Sequence, residues 1–82
     1  MEEAIASEVE AYLRQHGNGA MPTRDDNLFM VGALDSMGIM KLITHLETLY
    51  SIRIPPADMI PDNFRSISAM AAYLNRLIET PA

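Results

Sequence analysis

The sequence predicts an all-helical bundle with three long helices, one short third helix, and a long loop between the first two helices. Three observations carry this prediction. Apolar residues recur at helical spacing in three separate stretches. Helix-starting and helix-ending residues flank those stretches. Finally, 82 residues with a hydrophobic content of 49% are enough for a single domain over 1–82 with one small core.

The composition excludes several function classes. No cysteine is present, which rules out disulfides and thiolate metal sites, and two histidines are too few for a convincing zinc site. A net charge of −5 disfavours nucleic acid and anionic membranes as partners. No apolar run is long enough to span a bilayer, and no signal-peptide pattern opens the chain. We therefore expect a cytoplasmic protein without a metal, and the small size and charged exterior are compatible with a monomer.

The first predicted helix covers residues 2–16 and ends at Gly17, a natural C-terminal stop. One face of this helix is apolar at positions i, i+4, i+7 and i+8, occupied by Ile5, Val9, Tyr12 and Leu13. Residues 17–34 then form a long connection without clear periodicity, and loops of this kind are often functional. We expect Gly32 to adopt a backbone angle that other residues resist. The expected anchors of the loop are its apolar residues Leu28, Phe29, Val31 and Leu34.

The second helix, over roughly 36–50, is the clearest element, and Asp35 is its predicted N-cap. At 100° per residue its core face collects Ile39, Leu42, Ile43, Leu46, Leu49 and Tyr50. The opposite side carries Met37, Lys41, Thr44 and Thr48, with Met40 between them and Ser36. Because the core face is already filled, these two methionines are predicted to form a contact surface beside the serine.

The chain after the second helix contains one weak strand signal, since Ile52 and Ile54 alternate with Arg53 but have no obvious partner. Residues 56–60 are predicted to make one short helical turn ended by Pro61. The last helix is predicted from its N-cap Ser66 to about residue 79. Its apolar face is formed by Ile67, Met70, Ala71, Leu74, Leu77 and Ile78.

Ser36 is the residue with the most informative position, because it opens the second helix and faces solvent. A nucleophilic serine needs a nearby base. His45 lies on the opposite side of the same helix, and His16 ends another helix. No phosphate-binding loop, dinucleotide fingerprint or zinc-protease motif is present. The sequence therefore disfavours an enzyme and predicts no catalytic residue.

The motif Asp35-Ser36-Met37, at a loop-to-helix junction in an acidic helical chain, resembles the acyl and peptidyl carrier proteins. The resemblance extends from about Ile5 to Leu77. It includes the segments Ile54-Pro55 and Asn63-Phe64-Arg65-Ser66-Ile67. The local string Leu34-Asp35-Ser36-Met37-Gly38 is similar to D-alanyl carrier proteins and related free-standing aminoacyl carriers.

This resemblance implies a small carrier-protein four-helix bundle in which Ser36, with Asp35 before it, carries a 4′-phosphopantetheine arm taken from coenzyme A. The thiol of the arm would hold an acyl or aminoacyl group as a thioester. The implied partners are a phosphopantetheinyl transferase, an adenylating or acyl-loading ligase, and a downstream synthase or tailoring enzyme. The residues expected to contact them are Met37, Met40, Lys41, Thr44, Met59 and Ile60.

One departure from the family pattern bears on the cargo. Fatty-acid carriers usually have an acidic second helix, whereas here only Glu47 is acidic after the serine. This favours an aminoacyl or specialised secondary-metabolic carrier. Two alternatives stay open: a polyketide or fatty-acid carrier, and an unmodified helical adaptor that binds partners through the Met37 and Met40 face.

Overall fold

The computed structural model describes residues 1–17 and 21–79, and in these residues it contains four α-helices and no strand. The helices are α1 (Glu2–His16), α2 (Ser36–Tyr50), α3 (Pro61–Phe64) and α4 (Ile67–Glu79), with a 3-10 turn at Pro56–Asp58. The all-helical prediction is confirmed, and the predicted bounds of the three long helices coincide with those observed. None of the helices in the described residues is long and apolar enough to cross a membrane.

The core lies where α1 packs along α4, with α2 closing one side and α3 packing against α4. Each long helix contributes most of the apolar face that its spacing predicts, with Tyr12, Leu77 and Ile78 only partly buried. The core side chains with no measurable exposure are Ile5, Val9, Leu28, Leu42, Leu46, Ile67, Met70 and Leu74. Eight such residues from all three long helices and the loop make one continuous core, as expected for a domain of this size.

The predicted core face of α2 is correct except at its C-terminal end. Leu49 was expected in the core, but 46% of its surface is exposed. Tyr50 is only partly buried against the core. Leu49 lies at the edge of the apolar face, in the last turn of α2. The helix ends at Ser51, which adopts a left-handed conformation with φ of 54°.

Two of the four predicted loop anchors are correct. Leu28 and Leu34 are buried, but Phe29 and Val31 expose 41% and 52% of their surfaces. The reason is a tight turn closed by Asn27, whose side-chain oxygen accepts hydrogen bonds from the backbone N–H groups of Phe29 and Met30 at 3.0 and 3.1 Å. This turn directs the side chains that follow Leu28 away from the core.

Arg24 connects the long loop to α1 and α4. This role was not predicted from the sequence. Its carbonyl oxygen accepts a hydrogen bond from the N–H of Ser68 at 2.9 Å. Its guanidinium pairs with Glu3 at 2.6 Å and with Glu10 at 3.0 Å. A sequence signal existed, because Arg24 is the loop's one basic residue and two acids lie seven residues apart on one face of the first helix. The part of the predicted loop at 18–20 lies outside the described residues.

The segment between α2 and α4 resolves the weak strand signal and differs from its prediction at Pro61. Ile52–Ile54 forms no strand, because the Ile54 N–H donates at 2.8 Å to the carboxylate of Glu47 rather than to a neighbouring strand. Pro61 begins α3 instead of ending a helix. A proline suits the first helical position, since its φ is already helical and its missing N–H is not needed there. Met59 and Ile60 consequently lie between the 3-10 turn and α3, not on a short helix.

Candidate functional site

The N-terminus of α2 holds Ser36 in a fixed position. Asp35 is the N-cap: its Oδ1 accepts a hydrogen bond from the N–H of Gly38 at 2.7 Å. Its carbonyl oxygen accepts another from the N–H of Ile39 at 3.0 Å. Ser36 is the first residue inside the helix and is exposed. The predicted cap is therefore confirmed, and the serine hydroxyl is presented to solvent from a rigid turn.

The loop before Ser36 is also fixed. The N–H groups of Ala33 and Leu34 both donate to the carbonyl oxygen of Leu28, at 2.9 and 3.3 Å, and all three side chains are buried. Gly32 allows the chain to reverse there, with φ of 76°, a conformation that L side chains rarely adopt. The predicted role of Gly32 is confirmed. Ser36 is thus held from both sides, by the anchored loop before it and by the first turn of α2, which Asp35 caps, after it.

A polar cleft opens on the α1 side of Ser36. It has a volume of about 250 Å³. Its lining comes from α1 and from the residues around the serine: Tyr12, His16, Leu34, Asp35, Met37, Gly38 and Lys41. The centroid of the Tyr12 ring lies 4.6 Å from that of His16 and 5.2 Å from that of His45, with the rings tilted by 40° and 37°. Both chain neighbours of Ser36 belong to this lining.

An apolar cleft of about 250 Å³ opens between the loop, α2, and α3 with the two residues before it. It has no charged residue in its lining, which consists of Phe29, Ile39, Met40, Ile43, Met59, Ile60, Pro61 and Phe64. Phe29, predicted as a buried anchor, instead forms one wall. The sequence analysis missed this role because an aromatic residue in a loop gives no sign of which surface it faces.

The 3-10 turn that positions Met59 is fixed by a buried tyrosine on α4. The Tyr73 hydroxyl donates a hydrogen bond to the carboxylate of Asp58 at 2.6 Å. Burial, together with this bond, raises the pKa of Tyr73 above its ordinary value. The carbonyl oxygen of Asp58 also accepts from the side-chain N–H of Asn63 at 2.8 Å. These contacts hold the apolar cleft's outer wall against α4.

Six of the residues that the sequence pointed to lie in the two clefts, three in each. Asp35, Met37 and Lys41 lie together in the polar cleft, and Met40, Met59 and Ile60 lie together in the apolar one. Thr44 is exposed on α2 outside both clefts, and its hydroxyl donates to the carbonyl oxygen of Met40 at 3.0 Å.

The two histidines, set aside as bases, both contact the ring of Tyr12. His16 lines the polar cleft, a position that the sequence analysis did not foresee. The fold brings the end of α1 beside the start of α2, which spacing along the chain does not reveal. In the parts of the chain that the structure describes, no group of three or more acidic or histidine side chains is arranged to hold a metal ion.

Comparisons with known proteins identify the family. Residues 4–74 match the family of the phosphopantetheine attachment site. Over 69 residues, covering 84% of this chain and 87% of each relative, the chain is 30% identical to a D-alanyl carrier protein of Streptococcus pyogenes and 26% identical to one of Streptococcus uberis.

A solved structure shows the same fold. It is the crystal structure of Bradyrhizobium japonicum glycine:[carrier protein] ligase complexed with glycylated carrier protein. One of its chains superposes with a TM-score of 0.69 at 28% identity, over 87% of this chain and 95% of that chain. The fold, the capped serine and the family match over most of the sequence agree: this chain belongs to the phosphopantetheine attachment site family, and its cofactor is a covalently attached 4′-phosphopantetheine.

Proposed function

We propose that Ser36 is the attachment residue and that the protein carries an aminoacyl group as a thioester at the end of the arm. The observation that carries this proposal is the presentation of Ser36: it is exposed at the first position of α2, with Asp35 capping the helix behind it. It lies inside the matched residues 4–74, and the proposal treats 1–82 as one carrier domain.

The residues around Ser36 fit a phosphopantetheine. The N–H groups of Ser36 and Met37 are in the first helical turn, where no intrahelical acceptor exists, so they can face a phosphate. Lys41 supplies a positive charge nearby in the polar cleft. When bound, the cofactor supplies the thiol that holds the cargo. The protein's own part is to orient that group and keep its base rigid, so we propose that the chain itself has no catalytic activity.

The cargo is inferred from the relatives. The similar proteins are named for D-alanine and the solved carrier is glycylated. We infer a small aminoacyl group for this chain as well. A second candidate is an acyl chain of the polyketide or fatty-acid type, which is favoured by one observation: the cleft of Phe29, Met40 and Phe64 is wholly apolar.

The partners follow from this function. A phosphopantetheinyl transferase, a loading ligase and a downstream synthase or tailoring enzyme each need to recognise the surface around Ser36, and we place the protein with them in the cytoplasm. Met37 and Met40 are exposed beside the serine, and flexible thioether side chains suit a surface read by several partners. Ile60 and Met59 continue this surface, with Lys41 and Thr44 at its edge.

The test of attachment is the intact mass after incubation with coenzyme A and a phosphopantetheinyl transferase. We expect one phosphopantetheinyl group on the wild type and on Ser7→Ala, an exposed serine on α1, but none on Ser36→Ala. Urea unfolding of Ser36→Ala should match the wild type closely, since an exposed substitution without special contacts usually costs little. An unchanged mass of the wild type would favour the unmodified helical adaptor instead.

The test of cargo uses the modified protein. Incubation with ATP, glycine or alanine and a ligase specific for each should add an aminoacyl group that hydroxylamine removes. Malonyl-coenzyme A with an acyltransferase is the comparison. Loading by the acyltransferase alone would overturn the aminoacyl assignment and leave attachment at Ser36 intact.

A further inference from the structure

We propose that the polar cleft between α1 and α2 is a binding site for the proximal part of the arm, the phosphodiester and the branched hydroxyl-bearing carbon chain next to it. This inference rests on the proposed attachment at Ser36. It adds a resting position for the arm and names the residues that hold it: Lys41, His16 and Tyr12.

The location of the cleft is the first argument. Asp35 and Met37, the residues on either side of Ser36, both line it. A group bonded to the Ser36 hydroxyl therefore starts at the rim of the cleft. Its volume of about 250 Å³ suits a part of the arm rather than the whole. The farther amide and the thiol remain outside, where partner enzymes reach them.

The chemistry of the lining is the second argument. The phosphodiester carries a negative charge, and Lys41, the only lysine of the chain, lines the same cleft. Asp35 adds a negative charge there, with one oxygen engaged by Gly38, so a cation is needed to offset the repulsion. His16 offers ring nitrogens to the hydroxyl and first amide of the arm. Lining atoms of Tyr12 and Leu34 offer apolar contact to the two methyl groups of the arm.

The other cleft lacks these features. None of its lining residues carries a charge or a polar side chain. Placing a phosphodiester and amides there leaves their hydrogen bonds unmade, which is unfavourable. The polar cleft therefore suits the proximal part of the arm, and the apolar cleft does not.

The walls of the polar cleft are organised before the arm is attached. The Tyr12 ring contacts two imidazole rings, with centroids at 4.6 Å from that of His16 and 5.2 Å from that of His45. Leu34 is buried, and Asp35 is fixed by its cap. Little conformational freedom is lost on these sides when a group enters, which favours binding.

The test is nuclear magnetic resonance on modified protein whose arm carries ¹³C in its two methyl groups. We expect nuclear Overhauser contacts from these methyl groups to the ring of Tyr12. Modification should also shift the amide signals of Tyr12, His16 and Lys41 more than those of Ile43 and Phe64, which lie by the apolar cleft. Lys41→Gln should remove the contacts and most of the shift at Tyr12 and His16. The matched control is Arg53→Gln, an exposed cation outside both clefts, which should retain them.

The outcomes separate this inference from the proposed function. Contacts to Ile43, Met59 or Phe64 instead would overturn it by placing the arm in the apolar cleft. An absence of contacts to either cleft would overturn it by leaving the arm in solvent. The intact mass, measured first on every sample, shows whether Ser36 is modified at all. A protein that gains no mass contradicts the proposed function, whereas a fully modified protein without contacts at Tyr12 contradicts only the binding site.

Discussion

Asp35 sets the start of α2 and with it the position of Ser36 in the first turn. Asp35 satisfies the N–H of Gly38 through its side chain and that of Ile39 through its carbonyl oxygen, so it fixes where α2 begins. Its carboxylate also lies at the positive end of the helix dipole, which stabilises it. The carboxylate of Asp35 would repel a phosphate on Ser36. Its benefit is that it defines where the helix starts.

We predict that Asp35→Ala lowers the free energy of unfolding by about 1 kcal/mol, because the helix loses its N-cap. Urea denaturation of the unmodified protein measures this. Asp35→Asn is the matched control: asparagine caps helices about as well, so its stability should stay close to that of the wild type. If the alanine variant is as stable as the wild type, the cap does not fix the start of α2.

Between elements, the long loop is held by polar ties as well as by its anchors. Arg24 bonds to α4 through its carbonyl oxygen and to α1 through its guanidinium. The guanidinium lowers the pKa of Glu3 and of Glu10 below the ordinary value of 4.5. The unfolded chain therefore binds more protons than the folded protein just below that pH. The ion pairs of Arg24 with Glu3 and Glu10 therefore stabilise the fold fully above that pH. This stabilisation is lost as the pH falls through the lowered pKa values of the two carboxyl groups.

We predict that Arg24→Gln destabilises the protein at pH 7 and that this difference shrinks in acid, below pH 4.5, as Glu3 and Glu10 become protonated. The measurement is the urea midpoint of both proteins across this pH range. Hydrogen exchange of the Ser68 amide, which donates to Arg24, reports the loosening locally. Arg53→Gln is the control, because it removes one positive charge as well but leaves the bonds between the loop and α1 in place. A difference that is the same at both pH values would contradict the ion-pair explanation.

For the whole molecule, the loop is part of the core and not an addition to it. Leu28 is fully buried, and its backbone is bonded both to the loop and to Arg65 before α4, at 2.8 Å. A domain of this size has little stability to lose. The residue that holds the loop in place therefore also supports the global fold.

We predict that Leu28→Ala lowers the free energy of unfolding by about 2–5 kcal/mol, since it removes a fully buried side chain and leaves a cavity. Thermal and urea unfolding measure the loss. Met30→Ala in the same loop is the control; Met30 is 86% exposed, so its effect should be small. Equal effects of the two substitutions would mean that the loop is not anchored through Leu28.

Much of the site was predictable because it is local. A cap and the serine it presents are adjacent residues, and the exposure of Met37 and Met40 follows from the periodicity of a single helix. The wrong predictions of burial share one physical origin. Phe29, Val31 and Leu49 are apolar residues at the margins of elements, where a neighbouring element decides burial, and the sequence does not show which neighbour is present.

The sequence alone determined the three long helices, the Asp35 cap and the position of Ser36 at a helix start, because these depend on hydrogen bonds and spacing within a few residues. Only the tertiary structure decided what surrounds the serine. It brought Tyr12 and His16 of α1 into one cleft with Lys41, placed Phe29 in another with Met59 and Ile60, and tied Arg24 to α1 and α4. Those contacts join residues far apart in the chain, and they form only when the helices pack around a common core.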